Sequence, residues 1–296
     1  MAEVKLETLI KLLDDPDEEV YFQISDEIRN LGTYVIPKLE SIWETNPNPL
    51  IQERIENIIS EIQLHELCIE FDEWLDDNGQ NLLTGICLVN RFQYPEYDQN
   101  DFLRSIQKIE QSIWLELAPY LTSFEQINVF NKVFYEIYGF QGIPVNENMN
   151  HIMPNRVLEN KKGVALTIGI IYLLLAERLH IPLKGVNLPG RFILAYCNKE
   201  NPSYFSVLNN PGNILFYVNP HKSGAIFTID EIKEFLNKYD LPAKNEFILP
   251  CSNIQIVYLL FEYMSKAYES MRNKQKFHQS EFLMKHLQKK ISENDI

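Results

Sequence analysis

The sequence predicts an α+β protein in which helices pack on an antiparallel sheet, with further helices at both ends of the chain. Three observations carry this. Apolar residues recur at helical spacing through most of residues 3–138. The run Val164–His180 is apolar almost all round, the pattern of a helix buried on most sides. Behind it lie short strand-like segments separated by turns of two to eight residues, and strands joined so closely pair antiparallel.

Residues 3–62 read as two helical pairs. Leu6, Leu9, Ile10, Leu12 and Leu13 form a first stripe, and Asp14, Asp15, Pro16 and Asp17 make a turn with helix-start chemistry. A second helix is expected from Glu18 to Leu31, stopped by Gly32, and a third over Val35–Glu44, broken by Asn46-Pro47-Asn48-Pro49. A fourth is expected from Leu50 to Ile62, with Ile51, Ile55, Ile58, Ile59 and Ile62 on one stripe. Helical patterning continues from Leu64 to Leu121, with Trp74, Leu82, Leu83, Ile86, Cys87 and Val89 inward and a helix over Gln99–Leu117. Another spans Ser123–Tyr138 and ends at Gly139, followed by a long loop, Gly142–Pro154.

Lys161-Lys162-Gly163 leads into the apolar helix. The expected strands are Leu183–Asn187, Phe192–Cys197, Phe205–Leu208 and Ile214–Val218, with a further strand at Ala225–Phe227. Thr228-Ile229-Asp230-Glu231 opens a helix, and Ser252–Lys290 reads as a helical hairpin turning at Arg272-Asn273-Lys274. The division expected is therefore 1–62 helical, 63–248 an α+β core and 249–296 a helical hairpin.

The net charge of −14 argues against nucleic acid or an anionic membrane as the main partner. That charge is uneven: residues 1–79 hold 20 acidic and five basic side chains, and the remainder is almost neutral. A well-solvated helical face accounts for this more simply than an electrostatic docking surface. Cys68, Cys87, Cys197 and Cys251 stand far apart, with no Cys-x-x-Cys pair and no His at metal-ligand spacing. They read as buried, reduced thiols of a cytoplasmic protein with no cofactor. The amino-terminal segment reads as an amphipathic helix and not a signal peptide, and Val164–Ala176 is too short and interrupted to cross a bilayer.

Three resemblances follow from particular motifs. Residues 12–32, LLDDPDEEVYFQISDEIRNLG, resemble a HEAT repeat, and Tyr258, Phe261, Ala267 and Tyr268 ahead of a short turn resemble one tetratricopeptide unit. The run Val157–Thr167, then Tyr172–Pro182, then Gly185-Val186-Asn187-Leu188-Pro189-Gly190-Arg191-Phe192, is similar to the SirB-type branch of the transglutaminase-like domains. Arg91–Pro95, Phe140-Gln141-Gly142 and Val218-Asn219-Pro220 fit the same family in the same order.

This resemblance implies a cysteine-protease-like fold, with a catalytic Cys at the start of the buried helix, a His on the next strand and an Asp on the one after. A helix start favours the thiolate, imidazole takes the thiol proton, and a carboxylate orients the imidazole. The matching positions here are Ala165, Arg191 and Asn219. Ala has no nucleophilic atom, a guanidinium cannot accept a proton, and Asn carries no charge. The resemblance therefore implies a member that has lost the triad, a pseudoenzyme used as a scaffold for a protein or peptide partner.

Relocated catalysis is the alternative, a cysteine-type hydrolase or acyl transferase using Cys197 or Cys87 with His221. Cys197 lies roughly 20 Å along its strand from Arg191. Thr167 is turned away from Ala165 on the helix, and Ser223 has no base near it except His221. A third reading is a small-anion site made by the N–H groups near Gly163 with Arg191, Asn219 and His221, helped by Lys161 and Lys162. Against it stands an ordinary ion pair between Arg191 and Glu159 or Glu177.

Overall fold

The computed structural model describes residue 6 and residues 8–198, 211–242 and 244–294, and the chain divides into two compact units, Met1–Glu73 and Trp74–Ile296. In the first, a helical turn over residues 8–10 is followed by α1 (Glu18–Arg29), α2 (Ile36–Thr45) and the long α3 (Pro49–Asp76). Asp17 caps α1, its carboxylate accepting from the Glu19 N–H at 2.8 Å. Stripes from each helix close one core, with Leu13, Ile28, Leu39, Ile55 and Ile58 fully buried. Buried Arg54 ties this core to the chain entering α1. Its guanidinium donates to the carbonyls of Leu13 and Asp15, both at 2.7 Å, and lies over the Tyr21 ring.

The fourth helix does not end at Ile62 as expected. No glycine or proline interrupts residues 50–78, and Leu67, Phe71 and Trp74 carry the buried stripe onward. The helix stops only where Asn78 and Gly79 take positive φ.

The second unit begins with α4 (Leu82–Gln93), α5 (Gln99–Glu116) and α6 (Ser123–Asn131). The expected helix over Ser123–Tyr138 does form as one rod, but its last turn, Lys132–Ile137, is π-helical, so that the Tyr138 N–H donates to the Val133 carbonyl. The segment read as a long loop is largely ordered structure: β1 (Gln141–Ile143), α7 (Met149–Ile152) and α8 (Pro154–Asn160) precede β2 (Lys162–Val164). β1 and β2 pair in parallel, Gly142 opposite Gly163. Neither strand was expected, because both are short and pair across 21 positions of sequence.

The apolar helix is α9 (Ala165–Arg178), and every residue from Leu166 to Ala176 is buried. Its neighbours are the sheet strands β3 (Leu183–Leu188), β4 (Arg191–Cys197), β5 (Ile214–Asn219) and β6 (Ala225–Phe227), in that order and all antiparallel. The expected strand Phe205–Leu208 lies outside the described residues. Pro189-Gly190 closes the β3–β4 hairpin, with Gly190 at φ +71°. One sheet face meets α9: Phe192 lies so close to Gly169 that a Cβ there would stand 2.7 Å from its ring. The opposite face is Val186, Leu188, Ile193, Ala195 and Tyr217, covered by Ile232 and Leu236 of α10 (Ile229–Lys238). Thr228 and Glu231 form the expected reciprocal cap on α10.

The chain closes with α11 (Asn253–Ser270) and α12 (Lys274–Asn294), joined at Arg272, which has φ +57°. Among the described residues no helix is long and apolar enough to cross a membrane. On α12, Lys276 reaches inward to donate to the Phe92 carbonyl at 2.6 Å, its ammonium 4.3 Å above the Phe92 ring. Burial pulls its pKa down from 10.5 to about 8. Between those values the unfolded chain holds the proton and the folded chain does not, so stability rises with pH across this window. The charge costs up to about 3 kcal/mol at neutral pH. Lys276→Met is expected to raise the urea midpoint at pH 7 and to flatten the rise in stability between pH 8 and 10.5.

Candidate functional site

The start of α9 is the position that the resemblance assigns to a nucleophile. Val164, extended at φ −65° and ψ 157°, precedes the helix without a side-chain cap, and half-buried Ala165 is its first residue. Gly163 is buried in β2 against Val157 and the His151 carbonyl. Two residues into the helix, Thr167 is fully buried and donates to the Ile152 carbonyl at 2.6 Å, so its hydroxyl is committed to structure. Lys161 is turned inward: its ammonium donates to the Leu158 carbonyl and lies 4.6 Å over the Phe140 ring, where burial lowers its pKa. Lys162 is exposed.

Arg191 is not beside this helix start. It opens β4 on the face opposite Phe192, and since Phe192 packs on α9, Arg191 points to the α10 side. Its guanidinium lies 4.2 Å over the Phe235 ring. The expected anion site is thus divided between two faces of the sheet. The proposed ion pairs of Arg191 also do not form as expected: Glu159 pairs with Arg156 at 3.1 Å, and burial raises the Glu177 carboxyl pKa, opposed by Lys184. Arg191 instead lines a cleft of about 250 Å³ with Asn219, Lys222, Glu231 and Phe235.

Asn219 builds the turn after β5. Its Oδ1 accepts from the N–H groups of His221 (3.0 Å) and Lys222 (3.3 Å), which fixes the single 3₁₀ turn Pro220–Lys222. His221 is exposed and its backbone lies against Gly142, where a Cβ would come within 2.5 Å of the His221 Cα. The structure therefore sets His221 beside the β1–β2 pair, with Gly163 across from Gly142, and sets Arg191 and Asn219 together in the other cleft.

Three side chains to which the sequence assigns no part in the site hold this turn in place. The Asn131 amide donates to the Gly224 carbonyl at 2.9 Å and accepts from the Tyr172 hydroxyl at 3.0 Å. Tyr135 donates to the Pro220 carbonyl at 3.2 Å. Gly224, at φ +72°, leaves the space the Asn131 amide fills. Desolvation raises the pKa of both Tyr135 and Tyr172, keeping the hydroxyls as donors. Phe130 stacks on Tyr172 with centroids 3.8 Å apart, and the π turn brings Tyr135 round to the same end of α9. Asn131 and Gly224 are 93 positions apart, and no local spacing announces their contact.

The four cysteines are free and separate. Burial raises all their pKa values: Cys68 upward, Cys87 and Cys197 to about 11, and Cys251 to about 12. Cys197 ends β4 fully buried, Cys87 shares a hydrogen bond with Tyr97, and Cys251 donates to the Gly185 carbonyl at 3.3 Å. Among the described residues no group of three or more His, Cys, Asp or Glu side chains is placed to hold a metal.

With this geometry in view, comparison with known proteins is informative. The sequence pattern of the transglutaminase-like superfamily matches residues 100–261. A UPF0162 protein of Vibrio cholerae is 24% identical over 136 residues, 45% of this chain and 50% of the relative. UPF0162 protein YchA of Escherichia coli is 28% identical over 109 residues, 36% of this chain and 39% of the relative. F-box only protein 21 of Pongo abelii is 23% identical over 114 residues, 38% of this chain and 18% of the relative. The aligned stretch spans half or less of the length of each of these relatives. No solved structure matches.

The Asn131 clamp has a measurable consequence. Tyr172→Phe removes the donor and leaves a buried amide oxygen unmatched, which is expected to cost about 1–3 kcal/mol in chemical denaturation. Asn131→Leu should cost at least as much, because it strands both the Tyr172 hydroxyl and the Gly224 carbonyl.

Proposed function

The chain belongs to the transglutaminase-like superfamily, and on that premise we propose that it is a SirB-type member that has lost the family's reaction and acts as a protein-binding scaffold. The observation that carries this reading is Ala165 as the first residue of α9, where a thiol would have to stand. The four raised thiol pKa values support it, since an attacking cysteine needs its thiolate near neutral pH. Arg191 cannot serve as the base, and Asn219 already spends its carbonyl oxygen on the turn.

The amino-terminal helices supply the second half of the proposal. Read as a HEAT-like pair, they form an acidic helical surface suited to a protein partner of opposite charge. Free cysteines throughout fit a reducing, cytoplasmic setting. The Arg191 cleft favours one further reading, a site for a small anion, because Lys222 adds a second cation to it.

Loss of thiol chemistry is tested by alkylation with iodoacetamide across pH, followed site by site by mass spectrometry. All four cysteines should react slowly at pH 7, with rates rising about tenfold per pH unit, because only the thiolate attacks and its pKa lies well above. One cysteine reacting fast, with a plateau below pH 7, overturns the reading. The scaffold role is tested by affinity capture from source-cell lysate with the full chain. A stoichiometric protein partner released by high salt is expected, and its absence counts against the role. For the anion reading, inorganic phosphate or a dicarboxylate should raise the melting temperature of the native chain but not of Arg191→Gln.

A further inference from the structure

The cleft of about 250 Å³ between β4, the turn after β5 and α10 holds donors that the protein itself does not use. Arg191 is exposed, and its guanidinium is held 4.2 Å over the Phe235 ring. That contact consumes no hydrogen, so all five N–H donors stay available in the plane of the fork. Among the described residues they meet no carboxylate and no hydrogen-bond acceptor. Lys222 is exposed and unpaired in the same way. The Asn219 Oδ1 is spent on the turn, which leaves only the Nδ2 donors for the cleft that Asn219 lines. One carboxylate lines the cleft with them, and it is tied down. Glu231 Oε2 accepts from the Thr228 N–H at 2.8 Å and from the Thr228 hydroxyl at 3.1 Å, the reciprocal cap of α10. Held by that cap, it forms no ion pair with Arg191 or Lys222.

Two cations against one carboxylate leave a single positive charge in excess, which matches a monoanion. A dianion such as phosphate or a dicarboxylate would set its second charge against Glu231, and repulsion of that kind is how a site rejects a near relative of its ligand. The flat fork of Arg191 fits the two oxygens of a carboxylate. Half-buried Phe227 gives the lining an apolar side, which suits a short carbon chain better than a bare inorganic ion. The space lies below the range of about 300–1,000 Å³ usual for drug-sized ligands, so the occupant is small. We infer that this cleft binds a small monocarboxylate through the Arg191 fork, with Lys222 and the Asn219 Nδ2 as further donors, and that Glu231 turns dianions away. The inference rests on the anion reading of the cleft and deepens it by naming the anion and the residue that selects it.

The experiment is a titration of the isotope-labelled full chain, followed by NMR at constant ionic strength, with butyrate as the probe. Succinate and inorganic phosphate are the dianions, and butyramide is the uncharged molecule of the same shape. N-acetylalanine carries the carboxylate at the end of a peptide unit, and whether it or butyrate binds more tightly identifies a chain end or a free acid as the source. Saturable shifts at Arg191, Asn219 and Lys222 are expected with butyrate at lower concentration than with either dianion, and none with butyramide. Arg191→Gln should weaken butyrate at least about tenfold. Arg191→Lys, which keeps the charge and loses the fork, should weaken it as well and covers the case in which Arg191→Gln fails to fold. Glu231→Gln preserves the cap, which accepts Gln as well as Glu, and should let the dianions bind more tightly than butyrate. Dianions that bind the native chain more tightly than butyrate, and lose that binding in Arg191→Gln, leave the anion reading standing and overturn this inference. An order of affinities unchanged in Glu231→Gln overturns the selecting role of Glu231. Butyramide binding as tightly as butyrate, or no saturable shift with any probe, overturns both the inference and the anion reading.

Discussion

The burial of α9 is the constraint on which the second unit depends. Eleven consecutive residues, Leu166–Ala176, are out of solvent, and each fully buried Leu or Ile contributes about 1.5–3 kcal/mol. A helix with no polar face must be enclosed, so strands, flanking helices and the β1–β2 pair all close on it. Gly169 and Gly185 let Phe192 in between helix and strand, where a Cβ at either would strike its ring. The enclosure of that helix fixes where its first residue, Ala165, stands.

That constraint was legible in the sequence because it is continuous. An apolar run of helical length needs no partner to be recognised, and the turns at Pro189-Gly190 and Pro220 delimited the strands that cover it. The Thr228–Glu231 cap and the hairpin turn at Arg272 were readable for the same reason, since each is set by neighbours in sequence. β1 and β2 were not, because each is three residues long and is stabilised by pairing across 21 positions. The extension of α3 to Asp76 was hidden by expecting a repeat boundary where the chain has no breaker.

The directions of the candidate side chains were not legible. The sequence names Ala165, Arg191 and Asn219, yet strand alternation decides where a side chain goes, and Phe192 rather than Arg191 faces α9. The clamp formed by Asn131, Tyr135 and Tyr172 depends on a π turn and on contacts 41 to 93 positions apart, which no local pattern encodes. The turn after β5 is held by hydrogen bonds from the Asn131 amide and the Tyr135 hydroxyl and by the Asn219 side-chain oxygen.

The central claim is that no cysteine of this chain can hold an acyl group in turnover. Intact-mass spectrometry of the native protein incubated at neutral pH with p-nitrophenyl acetate tests it most directly. The account predicts no acyl-cysteine adduct beyond the slow background modification of surface amines. A stoichiometric acyl group on one cysteine, formed within seconds and lost again by hydrolysis, would contradict it.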